Sequence, residues 1–341
     1  MASALAIALG ATTLAAQASP GSTSVGSAAT NGKGAKSHPQ NIKANVPNAD
    51  PKNWELVSNL SDEFNGTTVD TGKWNNSPTS WGAWTWNADN TSVKDGSLEL
   101  RMRYDEQPNA TLRRDDYTTF KSHTYFSSGI LQSKASSVYG YYEARIKGVD
   151  TFPGSAPAFW LYSNYATDKA AGFLGTQDGD TAYSEVDIVE MQQHSKDAHL
   201  LDLHAPYQVM QNGNPVWIRN AAQAPYLDQS VVNGGFDPAA DYHTYGVMVA
   251  PDRLTYYLDG KPVNSIANTN WNRLPMNVTL SLGLRDPNLR YGTESDPCPG
   301  GARRCANKPT LNSSGGVDGY PTHMSVDWVR VYRMKPGTVA P

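Results

Sequence analysis

An all-β fold, two sheets packed as a sandwich, is the class this sequence predicts, and three observations predict it. Strand-length runs alternating apolar and polar residues recur between residues 98 and 332, the period of two expected when one strand face is buried. Turn formers punctuate these runs: the 341 residues include 29 Gly and 22 Pro, and Asp259-Gly260 is a hairpin signal. No long stretch repeats its apolar residues with a helical period, so helix content is expected below about 10%.

Taken in order, the chain opens with Leu5-Ala6-Ile7-Ala8-Leu9 and Ala16-Gln17-Ala18. A short apolar core followed by a small-x-small step predicts a secretory signal over 1–18, too short to span a bilayer. Residues 19–50, mostly Ser, Gly, Ala, Asn and Lys with almost nothing apolar, predict a flexible linker. One domain is expected over 51–335, with a tail at 336–341. Its strands are expected at 98–103, 128–133, 142–146, 244–249, 254–258, 278–282 and 324–332. Long loops are expected at 164–182, 220–241 and 286–320, rich in Gly, Pro and Asp. The two cysteines, Cys298 and Cys305, lie in the last of these loops. In an exported chain that pair predicts one local disulfide, and it lacks the further ligands of a zinc site. A net charge of −4 argues against nucleic acid as a partner. No later segment predicts a membrane span, and a monomer is expected.

One strand candidate carries chemistry: Tyr183-Ser184-Glu185-Val186-Asp187-Ile188-Val189-Glu190-Met191. Alternation places Glu185 and Asp187 on one face and Val186 and Ile188 on the other. Glu190 is out of phase by one residue. A single-residue bulge at Ile188-Val189 restores the phase and brings Glu190 onto the carboxylate face. Four strand steps separate the two Cα atoms by about 13 Å, and inward-reaching side chains close this to about 5–6 Å. A retaining glycosidase holds its nucleophile and its acid/base at a similar separation, about 5–5.5 Å. Asp187 between them adds a third negative charge, which raises at least one pKa of the group. An arbitrary E-x-D-x-x-E is more often a solvated acidic strand face. The neighbouring Pro157-Ala158-Phe159-Trp160-Leu161-Tyr162-Ser163 and the nine Trp favour the catalytic reading here.

Ser184-Glu185-Val186-Asp187-Ile188-Val189-Glu190 resembles the bulged signature of glycoside hydrolase family 16. Over residues 55–333 the chain is similar to the κ-carrageenase branch of that family. The similarity runs through Ser61-Asp62-Glu63-Phe64-Asn65, Trp81-Gly82-Ala83-Trp84-Thr85-Trp86, Thr151-Phe152-Pro153-Gly154, Pro215-Val216-Trp217-Ile218-Arg219 and Leu280-Ser281-Leu282-Gly283-Leu284-Arg285, and through residues 139–148. The resemblance implies a jelly-roll sandwich with a substrate groove across its concave sheet. It implies a retaining endo-hydrolase cutting β-1,4 linkages of a sulfated red-algal galactan. By position it makes Glu185 the nucleophile, Glu190 the acid/base and Asp187 the residue that orients the nucleophile. It assigns Trp84, Trp160, His204, Trp217 and Arg219 to the groove and Arg285 to the substrate sulfate. No cofactor is required; a structural calcium at Asp327 is the one metal it allows.

The residue types suit those assignments. Flat aromatics offer sugars rigid contact area at little entropy cost, and an arginine fork matches a sulfate. Three functions stay open at this point: a κ-carrageenase, the same chemistry on furcellaran, β-carrageenan, agar or porphyran, and a non-catalytic galactan-binding module.

Overall fold

The structure, a computed structural model, describes residues 46–114, 118–149, 154–164, 177–195, 198–204, 207–218, 237–267 and 274–337. Its strands begin with β1 (Trp54–Leu56), β2 (Trp74–Asn75), β3 (Thr85–Trp86), β4 (Thr91–Lys94), β5 (Ser97–Arg113), β6 (Thr119–Ser128) and β7 (Ile130–Ser137). They continue with β8 (Gly140–Lys147), β9 (Ser155–Ser163), β10 (Thr181–Ser195), β11 (Ala198–His204), β12 (Tyr207–Gln211), β13 (Asn214–Ile218) and β14 (His243–Val249). The last are β15 (Arg253–Leu258), β16 (Lys261–Ala267), β17 (Met276–Leu284), β18 (Leu289–Tyr291), β19 (Arg304–Ala306) and β20 (Thr322–Met334). The only helical turns among the described residues are short 3-10 turns such as Pro51–Asn53.

Two sheets face each other. A ten-stranded sheet runs β16-β15-β14-β8-β20-β5-β6-β3, with β1 beside β20 and β4 beside β5. An eight-stranded sheet runs β13-β12-β10-β9-β17-β7-β2, with β11 beside β10. The core lies between them and follows from alternation. Val278, Leu280, Leu282 and Leu284 of β17 and Phe159 and Leu161 of β9 meet Tyr142, Ala144 and Ile146 of β8 and Val329 and Val331 of β20. All of these are 1% exposed or less. Each large aliphatic side chain buried this way stabilises the fold by about 1.5–3 kcal/mol.

The other face of the ten-stranded sheet is not left to solvent. Tyr141, Tyr257 and Tyr332 pack there with Trp54 and Val46. Val46 is 5% exposed, so the packed chain includes the last part of the stretch expected to be a linker over 19–50. The signal expected at 1–18 lies outside the described residues. Among the described residues no helix is long and apolar enough to cross a membrane.

Two elements differ from the sequence expectation. The hairpin of β5 and β6 extends well past residue 103; its β6 strand shows no apolar alternation, because Ser122, Thr124 and Ser128 are buried on the same face as Phe126. The expected loop 286–320 contains the β18–β19 ladder, and Cys298 and Cys305 are joined beside it, as expected.

Candidate active site

β10 carries the acidic stretch, and its register contains the expected bulge. On the β9 side Asp187 pairs with Trp160, but Val189 pairs with Phe159, so Ile188 is the extra residue. On the β11 side the same irregularity falls between the Asp187–His204 and Glu190–Asp202 pairs. Ile188 and Val189 are both fully buried, which holds the bulge from the core side. Glu185, Asp187 and Glu190 therefore share the face opposite the core, as alternation around one extra residue requires.

The neighbouring strands complete that face. Glu185 stands beside Tyr162, Asp187 beside Trp160 and Glu190 beside Ala158. Beyond them Tyr162 pairs with Asn277, Trp160 with Thr279 and Ala158 with Ser281. Several of these side chains are held by a neighbour. The Tyr183 hydroxyl donates to Glu185 Oε2. Trp160 Nε1 donates to Ser281 Oγ at 3.1 Å, and the Trp160 ring stacks on Tyr162 with centroids 4.6 Å apart. Gln132 Nε2 donates to the Tyr162 hydroxyl.

Arg285 follows directly on β17. Its backbone N–H donates to Gly154 O at 2.9 Å, and its Nη1 donates to Leu284 O at 2.8 Å. Its Nη2 donates to Glu190 Oε1. Gly154 has φ +129°, and a Cβ there would collide with Asn288, so only glycine lets the chain pass this close. The sequence pointed Arg285 toward a ligand anion. In the structure it holds a carboxylate of the motif.

Trp84 is corrected by the structure. It is 3% exposed and belongs to the core cluster. Its ring is closed in by Trp86, with centroids 5.3 Å apart, and by Gly283, where a Cβ would stand 3.4 Å from the indole. It supports the site from beneath and presents no open face to a sugar. The aromatic that reaches the site from this segment is Trp81, half-buried, with its ring 6.5 Å from Trp160 and 6.4 Å from Tyr162. The Arg113 guanidinium lies 5.2 Å from the Trp81 ring centre, a cation–π distance.

The backbone register places position 204 opposite Asp187 and position 217 opposite Gln208 in β12; the side chains of His204 and Trp217, and all of Arg219, lie outside the described residues. Asp327 accepts from Arg145 Nη1 at 3.0 Å. No group of three or more His, Cys, Asp or Glu that could hold a metal occurs among the described residues.

Two further site residues follow from the alternation rule. Tyr162 lies two residues from Trp160, and Tyr183 two residues from Glu185, so each shares its neighbour's face. Trp81 carried no such signal, because the 81–86 segment turns and only Thr85 and Trp86 are extended.

Comparison with known proteins bears on this geometry. The model of the β-porphyranase A–D glycoside hydrolase family 16 domain matches residues 54–334. The κ-carrageenase of Pseudoalteromonas carrageenovora is 38% identical over 284 residues, covering 82% of this chain and 64% of that protein. The crystal structure of that species' κ-carrageenase with an oligotetrasaccharide of κ-carrageenan superposes with TM-score 0.66 at 36% identity, covering 84% of this chain and 97% of that one. β-Porphyranase B of Zobellia galactanivorans is 30% identical over 268 residues, covering 75% of this chain and 82% of its own. A jelly-roll sandwich with this bulged acidic strand, matched over nearly the whole described domain, places the chain in glycoside hydrolase family 16.

Proposed function

We propose that the protein is a secreted, endo-acting, retaining hydrolase of β-1,4 linkages in κ-carrageenan. The observation that carries this reading is the bulge at Ile188, which puts Glu185, Asp187 and Glu190 on one face beside Trp160 and Arg285. The likeness to κ-carrageenases over most of the chain supports the substrate. In this reading Glu185, oriented by Tyr183, attacks the anomeric carbon and the glycosidic oxygen leaves with a proton from Glu190. A water then displaces Glu185 from the sugar, giving up its proton to Glu190. Asp187 sits between the two, where its charge sets how readily each gives or takes a proton.

Arg285 has two tasks in this scheme. Its ion pair favours the charged form of Glu190, the form the second step needs. The first step needs Glu190 to carry a proton, and a substrate sulfate competing for the guanidinium frees it. Trp160 and Trp81 supply apolar faces for the sugar rings. Export through the segment 1–18 fits a polymer too large to enter a cell.

A second reading keeps the fold and chemistry and changes the polymer to porphyran. The match to the porphyranase family model favours it. Incubation with κ-carrageenan, furcellaran, desulfated β-carrageenan, agarose and porphyran, following reducing ends, separates the two. Fastest release from κ-carrageenan, with the β-anomer appearing first by NMR, is expected. Fastest release from porphyran replaces the first reading with the second. Tight binding without release from any polymer overturns both in favour of a binding module.

A further inference from the structure

Strands β18 and β19 carry a cation that the acidic motif does not account for. Leu289 pairs with Ala306, Arg290 with Cys305 and Tyr291 with Arg304. Leu289 belongs to the core cluster and Ala306 packs against it. Alternation therefore puts Arg304 on the side of Leu289 and Ala306 and Arg290 on the other. Arg304 stands at the end of the ladder, where its cross-strand partner Tyr291 is open to solvent. The ladder is fastened to the active site through the backbone. Asn288 N–H donates to Arg285 O at 3.0 Å, and Asn307 N–H donates to Asn288 O at 3.0 Å. The disulfide through Cys305 fixes the residue next to Arg304.

The arginines here are not equivalent. Arg290 is spent on Asp296, with Nη2 3.1 Å from Oδ1. Arg303 lies over the Tyr291 ring at 5.5 Å. Arg285 is committed to Glu190 and to the Leu284 carbonyl. Arg304, half-buried, forms no ion pair with any described carboxylate. Burial pushes its pKa down and the Arg285 cation pushes it further, while Glu190 acts in the opposite sense. Two guanidinium groups thus share the field of one carboxylate, and an anion relieves the excess positive charge.

We propose that Arg304 is an anion-binding residue of the active site, the arm of a two-arginine clamp that receives a sulfate ester of the galactan as Arg285 releases Glu190. The assignment rests on the sulfated-galactan reading above for its ligand class. It gives the Cys298–Cys305 loop a purpose: keeping near the acid/base a cation that pairs with no described carboxylate. A half-buried arginine fork of this kind binds a sulfate through charge-assisted hydrogen bonds.

The test is Arg304→Gln, with Arg304→Lys beside it to keep the charge and lose the fork. For Arg304→Gln, kcat/KM on κ-carrageenan is expected to fall about 10- to 100-fold, mostly through KM, and to change less than about threefold on desulfated β-carrageenan. Arg304→Lys is expected to fall between the two proteins. Melting temperatures monitor the fold, and if Arg304→Gln unfolds, Arg304→Lys is read on both polymers instead. Equal losses on the two polymers, or no loss on either, overturn the proposal and leave the hydrolase reading intact. If the wild type cuts no galactan, that reading fails and binding decides. Calorimetric titration of Glu185→Gln and of Glu185→Gln/Arg304→Gln with a κ-carrageenan tetrasaccharide is then compared. Weaker binding by the double variant supports Arg304, and equal affinity rules it out.

Discussion

Of the arginine–glutamate pairs among the described residues, two, one beside each sheet, differ in the third charge next to them. On the eight-stranded sheet Arg285 pairs with Glu190, and the third group is a cation, Arg304. On the ten-stranded sheet Arg330 grips Glu63 with both ends of its fork, Nε to Oε1 at 2.8 Å and Nη2 to Oε2 at 2.9 Å. There the third group is a carboxylate, Glu143, in register with Arg330 across β8 and β20. Burial works against the Arg330 charge, but its bonds to Glu63 outweigh that and raise its pKa. Glu143 is 1% exposed. Burial, helped by Glu63 and opposed by Arg330, pushes its pKa up to about 7. One pair plus a cation leaves a site that attracts an anion. One pair plus a buried carboxylate leaves a site that takes a proton. The same two residue types make a binding site or a structural joint according to the neighbour and the solvent access.

The largest effect expected from breaking this contrast is on the active-site side. Glu190→Gln and Glu185→Gln are each expected to lower hydrolysis of κ-carrageenan by about 10²- to 10⁴-fold or more. Circular dichroism is expected to stay that of the wild type. A variant that keeps near-wild-type turnover removes that residue from the mechanism.

Next comes the structural joint. Glu63→Ala leaves Arg330 facing only Glu143 and should destabilise the protein by about 3 kcal/mol. Urea denaturation measures it, and kcat of the folded fraction should not change. A large loss of kcat without loss of stability shows instead that the two clusters are coupled across the sheets.

The third effect is in pH. Glu143 ordinarily titrates near 4.5 and in the folded protein near 7. Between those values the folded protein holds a proton that the unfolded chain has lost. The stability from this group is complete below about pH 4.5 and is lost as pH rises through about 7, a change of about 3 kcal/mol at most. Glu143→Gln should flatten this fall, seen as a smaller difference in urea midpoint between pH 5 and pH 8. Parallel curves for the two proteins refute it.

The smallest effect is in salt. The carboxylates differ in solvent access: Glu190 is 17% exposed and Glu63 8%, while their arginines, Arg285 at 19% and Arg330 at 21%, are alike. Raising ionic strength from about 0.05 to 0.5 M should raise KM for the sulfated polymer severalfold and barely move the melting temperature. A melting temperature more salt-sensitive than KM inverts the comparison.

The sequence by itself determined the all-β class, the disulfide partners and the three carboxylates on one face. These depend on local rules. A period of two places residues on faces, and a single extra residue among Val186, Ile188 and Val189 shifts Glu190 into phase. The loop and segment packing did not follow from such rules. Strand β6 buries Ser122 and Thr124 where apolar residues would mark a strand, and the β5 register shifts twice between Tyr104 and Ala110, so the apolar alternation by which a strand is recognised is lost. Trp84 and Trp81 are three residues apart in a turning segment, and only the fold decided that Trp84 is sealed under Gly283 while Trp81 reaches Trp160. The charge partners were decided the same way. Glu190 and Arg285 are 95 positions apart, and Glu63 and Arg330 are 267 apart. A face can be read from spacing along one strand, because the backbone repeats. A charge's partner belongs to another strand, and only the packing of the two sheets brings the pair together and sets how much water they keep.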